Sequence, residues 1–262
     1  MLRLDNDFAN AAFIPNADDY LRRWPAEAAA FRAEMASQGR LIADVAYGPS
    51  QRQRFDLFLP QTHARGVVVF VHGGYWLRFD RTDWSHFAAG PLARGWAVAL
   101  PSYDLCPSVS IAQITDQIET AITAISDRLD GPLRLTGHSA GGHLVARMIC
   151  ADRSPSWRHR LQKVVPISPV ADLRPLLWTS MNEQFQLTED TAAEASPVLH
   201  DPVTRDVHVV VGAAERPVFV AQARELASAW DVPLSLLEDR HHFDVIDGLC
   251  DPTSDLVRAI VE

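Results

Sequence analysis

From about residue 53 the chain alternates between short apolar runs and longer stretches with helical spacing. Residues 54–59 (RFDLFL) alternate polar and apolar positions, which predicts a half-buried strand. Residues 66–71 (GVVVFV) are apolar throughout and largely β-branched, which suits a strand covered on both faces in a parallel sheet. Further strands are predicted at 97–100, 133–136, 163–167, 207–211 and 234–237. Helical stretches separate them at about 83–94, 110–129, 141–151, 216–230 and 252–261. Upstream, Tyr20, Leu21, Trp24, Ala28, Phe31 and Met35 recur at helical spacing and predict a helix over 18–38. Strand–helix alternation of this kind builds βαβ units around a mostly parallel sheet, an α/β architecture. Residues 169–200 break the rhythm with Pro169, Pro175 and Pro197 and the aromatics Trp178 and Phe185. The expectation is one domain over 1–262, with an N-terminal helical segment to about 45 and a cap-like insertion at about 169–200.

Composition narrows the function. The formal net charge is −9 and the basic residues are scattered, so no concentrated basic face offers itself to nucleic acid. Cys106, Cys150 and Cys250 lie far apart with no CxxC pair, which argues against a disulfide framework or a structural zinc site. The first residues carry no basic n-region before a long apolar run, and no stretch is long enough to span a bilayer. A cytoplasmic location without a membrane partner is the expectation. The oligomeric state stays open, a homodimer being one option.

Chemistry enters at Gly137-His138-Ser139-Ala140-Gly141. This G-x-S-x-G follows an apolar strand and precedes a helical stretch, the setting in which a serine sits on a sharp turn as a nucleophile. Residues two away on either side must then be small, and Gly137 and Gly141 are. His72-Gly73-Gly74-Tyr75-Trp76 follows the buried strand at 66–71. Its glycines let the N–H groups of Gly73, Gly74 or Tyr75 join that of Ala140 around a developing oxyanion. A base is expected after the last strand, where His241 and His242 are adjacent and compete. An acid is expected after the preceding strand, where Glu215 is the carboxylate of the loop at 212–217. Asp244, Asp239 and Asp172 are the alternatives.

HGGYW at 72–76, GHSAGGHL at 137–144, VVGAAERPVF at 210–219 and HHFDVI at 241–246 together resemble the kynurenine formamidase (arylformamidase) family. That family lies in the hormone-sensitive-lipase-like branch of the α/β hydrolases, and YGPSQRQRFDLFLP at 47–60 is similar to the entry strand of that group. The resemblance implies an α/β-hydrolase fold and a serine hydrolase needing no metal or organic cofactor. It selects His242, which directly precedes a phenylalanine, and Glu215, two residues before a proline, although the family usually has aspartate there. The implied reaction cleaves a small-molecule amide or ester through an acyl-enzyme: an N-formyl arylamine such as N-formylkynurenine, or alternatively a small acyl ester or thioester. A catalytically silent scaffold is the third reading. For the substrate pocket the candidates are Trp76, Trp178 and Phe185, with Met181 beside them. Arg78, Arg81 and Arg174 are candidates to recognise a carboxylate.

Overall fold

A computed structural model describes residues 4–262; residues 1–3, which open the stretch read above for a leader and a helical segment, lie outside the described residues. The chain opens with α1 (Asp5–Phe8) and a long α2 (Ala17–Ser37), then enters the sheet through β1 (Leu41–Ala46) and β2 (Arg54–Phe58). β3 (Val67–Val71), α3 (Ala89–Ala93), β4 (Ala97–Pro101), α4 (Ile111–Ser126), β5 (Leu133–His138), α5 (Ala140–Arg147) and β6 (Leu161–Ile167) follow. The insertion carries α6 (Asn182–Phe185) and α7 (Glu189–Ala195); β7 (Val209–Gly212), α8 (Pro217–Trp230), β8 (Leu234–Leu237) and α9 (Asp255–Val261) complete the chain.

The strands form one sheet in the order β1-β2-β4-β3-β5-β6-β7-β8. β2 runs antiparallel to β1 and β4, and the remaining pairs are parallel. The alternation of side chains along β3 explains its unbroken apolar run. Val67, Val69 and Val71 face one layer with Ile114, Ile118 and Ile122 of α4, while Val68 and Phe70 face the other with Trp84, Phe87 and Ile260. The α/β-hydrolase fold is thus present, with helices covering both faces.

β1 has no counterpart in the predicted strands. It is an edge strand, mostly exposed, and its register shifts between Ile42 and Val45. Inside that bulge Asp44 takes φ 64°, donates its N–H to Asp56 and pairs its carboxylate with Arg81. The stretch predicted as helix at 83–94 is instead two short 3-10 turns, Arg81–Asp83 and Ser85–Ala88, leading into α3. There Gly90 packs so closely that a Cβ would lie 2.4 Å from the Leu249 carbonyl oxygen.

Parallel strands bring their carboxyl ends to one edge, and loops there form a crevice suited to a ligand. β5 lies at the middle of the sheet, flanked by β3 and β6. The turn out of β5 works only because its glycines lack side chains. A Cβ on Gly141 would lie 2.0 Å from the Val71 carbonyl oxygen, and one on Gly137 would lie 2.4 Å from that of Gly141. Both obstacles are backbone, which cannot rotate aside. Gly141→Ala is therefore expected to destabilise the fold by about 3 kcal/mol, at the upper end of overpacking costs. A urea midpoint equal to that of the unsubstituted protein would show that the turn relaxes freely.

Candidate active site

Ser139 stands between β5 and α5 at φ 56° and ψ −115°, a combination a non-glycine residue adopts only under constraint. Its amide is tied to the Ile167 carbonyl at 2.9 Å, and the glycine contacts hold the turn from beneath. The side chain is consequently presented at the head of the helix, where the positive end of the α5 dipole and the first helical N–H groups lie.

The loop after β3 approaches from the neighbouring strand. Gly73 lies so near that a Cβ would sit 3.2 Å from Ser139 Cβ. Gly74, Tyr75 and Trp76 have φ of 114°, 55° and 56°, a run that coils the backbone. Among the described residues the N–H groups of Gly73, Gly74, Tyr75 and Ala140 have no protein acceptor. Gly73 and Ala140 are buried, and buried amides are rarely left so, which fits donors reserved for a ligand oxygen. His72 orders this loop. Its Nδ1 meets the Gly73 carbonyl at 2.8 Å, its ring stacks on Tyr103 at 4.4 Å, and Tyr103 Oη donates to the His72 carbonyl at 2.9 Å. Burial pushes the His72 imidazole down to about 4, so it stays neutral.

On the other side of Ser139 the loop after β7 delivers Glu215 and the loop after β8 delivers His242. His242 Nδ1 lies 2.5 Å from Glu215 Oε2. Glu215 Oε1 accepts from the Gly212 N–H at 2.9 Å and from Ser168 Oγ at 2.5 Å. Glutamate's extra methylene is accommodated by folding the side chain back over Gly212, where Glu215 Cγ would be 3.1 Å from any Cβ. Ser168 did not emerge from sequence reasoning. It follows β6 at φ 48°, and only the convergence of strand ends brings it to a glutamate 47 positions away. A lone serine after a strand carries no signal of that contact.

His241 turns the other way. Its Nδ1 receives the N–H groups of Phe243 and Asp244 at 3.1 and 3.2 Å, and its Nε2 lies 3.3 Å from Tyr20 Oη on α2. The alternative acids are elsewhere: Asp244 on the His241 amide, Asp172 on Arg174, and Asp239 exposed. His138 packs on His242, ring centroids 4.7 Å apart. Burial first, and then the charge of His242, hold the His138 imidazole well below its ordinary range. A neutral His138 places no second positive charge beside His242. His143 is likewise neutral, pushed down to about 3 by burial, and its Nε2 meets the Ala195 carbonyl at 2.8 Å, fastening the insertion to α5.

Ser139, His138 and His242 line a common cavity with Gly74, Tyr75 and Arg78. It is a slot of about 20 Å3, room for about one water. Among the described residues no hydrogen bond joins Ser139 Oγ to His242; contacts of this kind commonly tighten only once substrate binds. The expected aromatic walls are not among the residues lining the slot. Trp76 is fully buried, edge-on to His143 and Phe185, and Phe185 is held beneath it in the core. Trp178 is 46% exposed and lines a separate surface depression. The insertion is short, and its apolar residues are consumed in packing against α4 and α5 rather than in roofing the serine. Among the described residues no group of His, Cys, Asp and Glu has the arrangement to hold a metal ion, and no helix is long and apolar enough to cross a membrane.

A family model for the alpha/beta hydrolase fold matches residues 68–232. A kynurenine formamidase from Danio rerio is 26% identical over 94% of this chain and 90% of its own length. A kynurenine formamidase from Drosophila melanogaster is 31% identical, covering 84% of this chain and 81% of its own. A solved structure from a Silicibacter species, provisionally described as a thioesterase, superposes over 100% of both chains with a TM-score of 0.97 and 50% identity. The chain therefore belongs to the α/β-hydrolase family, on the branch that holds the kynurenine formamidases, and is a hydrolase.

Proposed function

We propose that the chain is a serine hydrolase that forms an acyl-enzyme on Ser139 and that its substrate is an N-formyl arylamine of the N-formylkynurenine type. The observation that carries the reading is the Glu215–His242 pair set at 2.5 Å behind a slot that Ser139 lines. In the proposed sequence His242 Nε2 takes the Ser139 proton as Oγ attacks the formyl carbon. The resulting oxyanion is held by backbone N–H groups of Gly73, Gly74 or Tyr75 together with Ala140. His242 then returns the proton to the arylamine nitrogen, the C–N bond breaks, and the amine departs. Water, deprotonated by the same ring, cleaves the formyl ester and releases formate. The Glu215 carboxylate fixes the tautomer and stabilises the imidazolium.

The narrowness of the slot supports a formyl group, since the carbonyl carbon then carries only hydrogen. Curated relatives that span most of the chain support the same substrate class. A second reading, a small-acyl esterase or thioesterase on the same machinery, is favoured by the thioesterase description of the 50% identical structure. Comparing kcat/KM for N-formylkynurenine with that for p-nitrophenyl acetate separates the two. The expected result is a clear preference for the formamide, together with fluorophosphonate labelling on the peptide that contains Ser139. Ester hydrolysis alone would keep the mechanism and discard the substrate; absence of labelling would discard the mechanism.

A further inference from the structure

The slot at Ser139 adjoins a larger cavity of about 450 Å3. Tyr75 and Arg78 line both the slot and this outer pocket. Its far wall is the N-terminal segment, Phe8 to Ala12 with Asp5, and Ser180 and Met181 close it from the insertion.

Two polar features there have no part in the mechanism above. The first is Arg78. It follows the oxyanion turn directly, its N–H bonded to the Gly74 carbonyl at 3.2 Å. Its guanidinium lies 5.7 Å from the ring of Tyr75 and 5.4 Å from that of Phe79, yet among the described residues it has no carboxylate partner. The other two candidate arginines are committed elsewhere: Arg81 to Asp44, Asp56 and Asp80, and Arg174 to Asp172.

The second feature is Asn10. Its side chain is buried, and Nδ2 donates to Tyr75 Oη at 2.8 Å. Tyr75 Oη in turn donates to the Phe8 carbonyl at 2.6 Å. A phenol has one proton, and the carbonyl can only accept, so Tyr75 must receive from Asn10. That settles which way the amide points. Burial also pushes the Tyr75 phenol up to about 12, which keeps the proton in place. Asn10 Oδ1 is thereby left buried without a donor, a costly state unless a ligand supplies one. On the same wall Asp5 accepts from the Ser180 N–H and Oγ, each at 2.6 Å.

We infer that the outer pocket binds the zwitterionic amino-acid head of the departing arylamine, with Arg78 pairing its carboxylate and Asn10 Oδ1 accepting from its ammonium group. The inference rests on the formamide reading for the substrate skeleton. An arginine without a carboxylate partner among the described residues and an unsatisfied buried acceptor, in a pocket that shares Tyr75 and Arg78 with the slot, match a zwitterion better than a neutral acyl chain. Arg78 is solvent-exposed, so its contribution comes from the paired N–H geometry a guanidinium offers a carboxylate rather than from exclusion of water.

The test is calorimetric binding of L-kynurenine, of kynuramine, which lacks the carboxylate, and of ortho-aminoacetophenone, which lacks both charged groups. The proteins are the unsubstituted chain, Arg78→Met, Arg78→Lys and Asn10→Leu, each first shown to be folded by its melting curve. The unsubstituted protein is expected to prefer L-kynurenine over kynuramine by about fivefold. Arg78→Met should erase that preference and Arg78→Lys restore part of it. Asn10→Leu should erase the advantage of kynuramine over ortho-aminoacetophenone. For N-formylkynurenine turnover, Arg78→Met should raise KM far more than it lowers kcat. Equal weakening of all three ligands by Arg78→Met would overturn the inference, as would no preference in the unsubstituted protein. If the protein cleaves only esters yet binds L-kynurenine through Arg78, the pocket stands and the formamide reading falls. Formamide turnover without any Arg78-dependent preference gives the reverse.

Discussion

Ser139→Ala and His242→Ala are each expected to lower kcat by roughly 10⁵-fold, while His241→Ala changes it by less than about threefold. The contrast between adjacent histidines comes from where their rings are held. His242 has Nδ1 on a buried carboxylate, which leaves Nε2 as the nitrogen able to exchange a proton at the slot. His241 has Nδ1 occupied by two backbone N–H groups and Nε2 against Tyr20, outside the slot. On the proposed mechanism serine and base act as one unit, so the double variant should be no slower than either single one. Steady-state rates of folded variants, with fluorophosphonate labelling as the second readout, check both statements. Equal losses from His241→Ala and His242→Ala would mean that the loop rearranges and that the ring on Glu215 is not the base.

The motifs that carry the backbone constraints were legible in the sequence because each is local. A serine on a strained turn demands small neighbours at fixed offsets, and Gly137 and Gly141 supply them within five residues. The β-branched runs declared the central strands for the same reason: burial on both faces leaves no polar position to confuse the pattern. What stayed hidden is long-range. Ser168 meets Glu215 across 47 positions, Asn10 meets Tyr75 across 65, and Arg81 meets Asp44 across 37. None of these residues sits in a periodic pattern that requires its partner. The aromatics of the insertion misled because an aromatic among prolines looks the same whether it roofs a pocket or seals a core. Trp76 and Phe185 found each other, and the pocket wall came from the N-terminal segment. β1 escaped because an exposed edge strand with a bulge at Asp44 shows neither an apolar run nor clean alternation.

Glu215→Gln is expected to cost on the order of 10⁴-fold in kcat with little loss of stability, because the side chains have the same shape and the change acts through the imidazole tautomer. In the unsubstituted protein Oε1 receives the Gly212 N–H and the Ser168 hydroxyl, and Oε2 receives the His242 Nδ1–H. A glutamine has one oxygen for these three donors. The Gly212 amide cannot reverse its polarity, so the oxygen stays on that side and the amide NH2 is turned toward His242. The ring then satisfies that NH2 only by accepting at Nδ1, which moves its proton to Nε2. A ring with its proton on Nε2 cannot take another from Ser139, and no carboxylate remains to steady the imidazolium had it formed. Glu215→Asp should fall between the two forms: it keeps the charge but withdraws the carboxylate by one methylene from a hydrogen bond of 2.5 Å. The measurement is kcat for all three proteins beside their thermal midpoints, with the NMR signature of the His242 ring protons reporting the tautomer. Loss of less than about tenfold in Glu215→Gln, with the ring proton still on Nδ1, would show that the imidazole is oriented by something other than Glu215.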